Sequence, residues 1–139
     1  MPNRIQWEPC HGVGNADLDA QHQAILARCN VLADCLDAAN DRGFDESFQE
    51  LMAIAREHFA AEEALLLRCG YPELDDYRSE REEFEYLSAE IATPGNFDRN
   101  ELQTFLALWW TGHILGAAKK QRPFLERPAR YDRSSPTGC

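Results

Sequence analysis

Apolar positions recur along this chain in steps of three and four, and they form four separate rows. Leu18, His22, Ile25, Cys29, Leu32 and Leu36 make the first row. Phe48, Leu51, Ala55, His58, Glu62, Leu65 and Cys69 make the second. Leu74, Tyr77, Arg81, Phe84, Leu87 or Ser88, and Ile91 make the third. The fourth is Leu102, Leu106, Trp109, His113 and Gly116 or Ala117, with Phe124 beyond. Such spacing lines up one stripe on one helical face. Helices are therefore predicted from near Asp17 to before Asn40, from Asp45 or Ser47 to about Arg68, from about Pro72 to Ile91, and from near Asp98 to about Leu125. Asn40-Asp41-Arg42-Gly43, Gly70-Tyr71-Pro72 and Thr93-Pro94-Gly95-Asn96 supply the turns between them. Four amphipathic helices on short turns imply an all-α fold, an antiparallel up-down-up-down four-helix bundle. Residues 1–17, broken by Pro9, Gly12 and Gly14, form an irregular N-terminal arm anchored by Trp7. Residues 18–127 form the bundle, and the polar segment 128–139 is expected to be a disordered tail.

Polar residues interrupt each stripe near its middle. They are His22 in the first helix, His58 and Glu62 in the second, Tyr77 and Arg81 in the third, and His113 in the fourth. His58 and Glu62 are one turn apart and share a face. A carboxylate in a core stripe is costly unless it is paired, hydrogen-bonded or bound to a metal. Intrusions at similar depth on four facing helices point to one shared polar layer, and bundle cores are where metal sites are assembled from facing helices. Imidazole and carboxylate donors suit iron or zinc. The residues equally allow a metal-free layer in which Arg81 pairs with Glu62 and the histidines and Tyr77 complete the hydrogen bonds.

Composition narrows the alternatives. Hydrophobic residues make up 44% of the 139 positions, enough for a packed core. The net charge of −10 argues against nucleic acid or an anionic membrane as partner. The one basic cluster, Lys119, Lys120 and Arg122 with Arg127, Arg130 and Arg133, belongs to a helix C-terminus and tail. No apolar run approaches a membrane span and the N-terminus lacks a signal-peptide pattern, so a cytoplasmic protein is expected. The five cysteines, Cys10, Cys29, Cys35, Cys69 and Cys139, have neither disulfide-framework nor zinc-knuckle spacing. Cys29 and Cys69 read as small buried hydrophobes, and Cys139 could cross-link two chains. His11 reads as a surface-loop histidine, and Trp110 as a source of exposed apolar surface.

Three segments resemble the bacterial hemerythrins. The first is Trp7, Val13-Gly14 and Leu18-Asp19-Ala20-Gln21-His22. The second is His58-Phe59-x-x-Glu62-Glu63 with Gly70-Tyr71-Pro72. The third is Trp109-x-x-x-His113-Ile114 followed by Phe124-Leu125. The resemblance covers residues 7 to about 125. It implies a centre of two non-haem irons held by five histidines and two bridging carboxylates, with reversible O2 binding. His22, His58, Glu62 and His113 stand at ligand positions of that pattern. Three other ligand positions are substituted, by Tyr77, Arg81 and Ala118. In the family pattern the histidines matching His22 and His58 serve one iron, so that half-site and its carboxylate persist. The other half-site keeps only His113.

Two readings follow. In one, His22, His58 and Glu62 hold a single non-haem iron, or zinc, with His113 or Tyr77 as a further ligand, and the site binds or senses O2, NO or another small ligand rather than carrying O2 on two irons. In the other, the bundle is a metal-free sensory or protein-interaction module with a Glu62–Arg81 pair in its core. A non-enzymatic role is expected, with oxidation chemistry at a single iron ranked behind both. A two-metal centre using substitute ligands ranks last.

Overall fold

The computed structural model describes residues 3–95 and 97–125, and these form a bundle of four long helices with no strand among the described residues. The helices are α1 (Ala16–Asp37), α2 (Asp41–Cys69), α3 (Leu74–Ala92) and α4 (Arg99–Lys120). A short helix, α5 (Arg122–Leu125), follows α4, and a single 3-10 turn, Pro9–His11, precedes α1. Short connections make consecutive helices antiparallel, as the stripes implied.

Local chemistry sets the ends. The Asn15 side chain accepts from the Leu18 N–H and starts α1, while the Asp98 carboxylate accepts from the Asn100 and Glu101 N–H groups and starts α4. Gly70, at φ 73°, closes α2 in the left-handed conformation that favours glycine. The second helix begins earlier than its spacing implied. The Asn40 side chain accepts from the Gly43 N–H, so 41–43 form the first turn of α2 rather than a loop, and Phe44 enters the core fully buried. The fourth helix, expected to reach Leu125, breaks at Gln121 between α4 and α5.

The core comprises Leu18, Ile25, Cys29 and Leu32 of α1, Phe44, Leu51, Phe59 and Leu66 of α2, Phe84 of α3, and Leu102, Leu106, Trp110 and Ile114 of α4. Burial pushes the Cys29 thiol up to about 12, so it stays protonated as an inert packing group. The α4 face differs from expectation. Trp110 is fully buried, Trp109 only partly, and the exposed apolar side chains of α4 are Leu108 and Leu115.

The arm is zipped to the bundle by two amides. Asn30 accepts from the Ile5 N–H and donates to the Ile5 carbonyl, both at 2.8 Å. Gln103 accepts from the Asn3 N–H at 3.0 Å and donates to the Asn3 carbonyl at 2.6 Å. Each satisfies an arm peptide that sheet pairing would otherwise serve. Trp7 packs against the core as expected. His11 is not a surface residue: it is buried, accepts a hydrogen bond at Nδ1 from the Glu8 N–H, and meets the Trp7 ring edge-on. Cys10 is disulfide-bonded, which the cysteine spacing did not suggest. Cys29, Cys35 and Cys69 are free thiols. Cys139 and the proposed tail lie outside the described residues.

Candidate metal centre

Helical phase brings four donors to one point inside the bundle. His22 comes from the second turn of α1, His58 and Glu62 from successive turns of α2, and His113 from α4. One ligand-type atom from each lies within 4.8 Å of the others. Glu62 is the hub and is fully buried. Its Oε2 lies 3.4 Å from His22 Nε2, and its Oε1 lies 3.3 Å from His58 Nε2 and 3.0 Å from His113 Nε2. The Tyr77 hydroxyl of α3 donates to Glu62 Oε1 at 2.8 Å.

Burial raises the proton affinity of Glu62, but the charge and hydrogen bond of His113, with the close approach of His22 and His58, outweigh it and hold the carboxyl well below the usual carboxylate range. Tyr77 behaves oppositely. Burial, the Glu62 charge and the hydrogen bond to Glu62 all push its phenol up, so it keeps its proton and serves as a donor.

The polar groups are incompletely satisfied by the protein. His22 Nδ1 and Nε2, His58 Nε2 and Glu62 Oε2 are buried and lack hydrogen-bond partners among the described residues. Orphaned atoms of this kind cost about 1–3 kcal/mol each, and a cation bound at this donor set would satisfy the converging ones. His58 is also pre-oriented. Its Nδ1 donates to Gln21 Oε1 at 2.8 Å, which leaves the Nε2 lone pair facing Glu62. Trp109 stacks on His113 with ring centres 5.1 Å apart and planes within 10°. The residues present therefore fit a metal ion.

Every sequence-derived donor, His22, His58, Glu62 and His113, is in the cluster, and Tyr77 adjoins it through Glu62. Arg81 is not part of it. Its Nη1 bonds Glu63 Oε1 at 2.9 Å, and Arg78 Nε bonds Glu63 Oε2 at 2.8 Å. This overturns the Glu62–Arg81 pair on which the alternative, metal-free reading rested. Glu63 sits about 100° further round α2 than Glu62, on the flank facing α3. There the guanidinium keeps part of its hydration, with 29% of its side chain exposed, instead of losing it in the core. Ala118 offers no donor. His11 lies outside the cluster. Gln21, the residue before His22 in the Leu18-Asp19-Ala20-Gln21-His22 segment, supports His58, a role that its place in that segment alone did not specify.

Comparison with known proteins agrees with this arrangement. The profile of the Hemerythrin HHE cation binding domain matches residues 13–121. The chain is 29% identical over 114 residues to a bacteriohemerythrin of Ralstonia nicotianae, covering 79% of this chain and 80% of that one. It is 28% identical over 115 residues to a bacteriohemerythrin of Stenotrophomonas maltophilia, covering 81% and 75%. A myohemerythrin of Riftia pachyptila is 24% identical over 116 residues, covering 84% and 89%. No solved structure matches the chain. A profile match that spans all four long helices and encloses every donor of the buried cluster places this chain in the hemerythrin family of metal-binding proteins.

Proposed function

We propose that the chain holds a single metal ion, a non-haem iron, on His22, His58 and Glu62 with His113 as a fourth donor, and uses it to bind or sense a small ligand such as O2 or NO. The observation that carries this reading is the convergence of unpartnered buried donor atoms, His22 Nε2, His58 Nε2 and Glu62 Oε2, on one point. Two histidines and a carboxylate with positions left open suit Fe(II). Zinc would be accepted by the same donors. A second ion finds little support, because Tyr77, Arg81 and Ala118 stand where the family pattern has ligands, and Arg81 brings a permanent positive charge to that flank.

A bound iron would supply an open coordination position for the small ligand. The chain's own residues do the rest. Gln21 fixes the His58 tautomer. Tyr77 holds the Glu62 carboxylate through its hydroxyl, as a positioning residue rather than a ligand. Phe59, Trp109 and Trp110 pack around His58 and His113 and keep bulk water away. The role is ligand binding rather than catalysis. No helix among the described residues is long and apolar enough to cross a membrane.

The test compares metal content in two variants. His58→Ala should lose the ion, because it removes a donor. Arg81→Ala should retain it, because Arg81 serves Glu63. Metal retained in His58→Ala, or lost in Arg81→Ala, would overturn the assignment.

A further inference from the structure

The donor cluster is closed on most sides, and among the described residues two polar clefts reach His113 between α3 and α4, one of them beside Trp109, Glu80 and Glu83. The other is a cavity of about 140 Å³, and Tyr77 and His113 are among its walls. His113 is the one donor side chain with residual exposure, at 4%, while His22, His58 and Glu62 have none. The outer wall is acidic: Glu73, Asp76 and Glu80 all line the cavity, opposed by a single cation, Lys120. Gln121, 5% exposed, lines the same cavity, and its buried Oε1 has no hydrogen-bond partner among the described residues. The opposite wall is cut back at Gly116, where an added Cβ would meet nothing within 4 Å.

Glu73, Asp76 and Glu80 are exposed, whereas Gln121, with its unpaired amide oxygen, and the side chains of Tyr77 and His113, both bonded to Glu62, are buried. Carboxylate and amide oxygens lining one cleft attract a divalent cation. A neutral diatomic ligand would need none of them. Field from the same carboxylates is felt in the cavity wall: burial pushes the Tyr71 phenol up, and Glu73, Glu80, Asp76 and Glu62 add to the effect. On the other side of the bundle, the groove beside His58 is lined by Ala20, Gln21, Ala24, Ile54 and Glu57, and is mostly apolar.

We infer that the acidic α3–α4 cleft is the loading route by which a divalent metal ion reaches the buried donors, with Glu73, Asp76 and Glu80 as its electrostatic mouth and Gln121 Oε1 as a transfer point inside. The route presupposes the metal site proposed above. It is tested by timing metal uptake, independent of any ligand-binding activity. Metal-free protein is mixed anaerobically with Fe(II), quenched with excess chelator at intervals, desalted, and assayed for retained iron.

Three variants separate the possibilities. Combined Glu73→Gln, Asp76→Asn and Glu80→Gln should slow loading roughly tenfold at low salt and flatten its salt dependence. Gly116→Leu should slow loading by filling the cleft, with the salt dependence kept. Ala24→Leu, in the opposite groove, should load like wild type. All three should reach the wild-type iron content at equilibrium, since none is a donor. Unchanged rates in the first two variants, or slowing confined to Ala24→Leu, would overturn the route while leaving the site standing. A wild-type protein that retains no iron at all would overturn the site itself and the route with it.

Discussion

At the scale of single residues, the centre is governed by which of two adjacent carboxylates turns inward. Glu62 faces His22, His58, His113 and Tyr77, while Glu63 faces Arg78 and Arg81. Removing Arg81 would be severe if it neutralised Glu62, at roughly 3–5 kcal/mol for a buried charge left alone. Because it instead shares the partly exposed Glu63 with Arg78, Arg81→Ala should cost about 1 kcal/mol or less in urea unfolding. A loss of several kcal/mol would return the guanidinium to Glu62. Tyr77→Phe removes a hydrogen bond to an ionised, buried acceptor, worth about 1.5–3 kcal/mol. It should lower the stability of the metal-free protein by that amount and leave metal content intact. Metal lost in Tyr77→Phe would make Tyr77 a ligand. All four donors were legible in the sequence, because each breaks an apolar stripe at matching depth. The partner of Arg81 was not, since neighbouring side chains on a helix diverge by about 100° and no spacing rule says which one a long side chain will reach. Gln21 was visible beside His22, but no spacing rule ties an amide on α1 to a histidine on α2.

At the scale of elements, the helices were legible in number and order, and less so in phase and ends. The fourth helix shows why. Counting back one turn from His113 selects Trp109 as the inward aromatic, but the buried row runs Leu102, Leu106, Trp110, Ile114, Ala117. His113 sits at the edge of that row and reaches Glu62 sideways, stacked on Trp109. Two consecutive tryptophans made both phases plausible, and packing decided between them. The start of α2 was obscured for a different reason: asparagine before a glycine reads equally as the end of one helix or the cap of the next. Here the Asn40 side chain accepts from the Gly43 N–H and acts as a cap. Asn40→Ala should therefore destabilise the protein by about 1 kcal/mol, seen as a lower urea midpoint with an unchanged slope. No change would mean that Phe44 packing alone holds this turn.

At the scale of the whole molecule, the bundle is a frame for one buried polar layer. Aromatic packing closes the layer on the Trp110 side, and acidic clefts approach it between α3 and α4. The arm adds long-range closure through Asn30 and Gln103, and Arg122 of α5 donates to the Gly12 carbonyl at 2.8 Å. None of these tethers was foreseen, because hydrogen bonds between an irregular segment and distant amides leave no periodic trace. The family pattern and the layer's depth were legible; how the layer's charges are neutralised emerged only from the packed structure.

The most direct measurement is the iron content of the protein purified from iron-supplemented cells and again after anaerobic addition of Fe(II). One ion per chain is predicted, held by His22, His58, Glu62 and His113. Two ions per chain would mean that Tyr77, Arg81 and Ala118 have not disabled the second half-site. None under either condition would mean that the histidine–glutamate layer closes on itself without a metal.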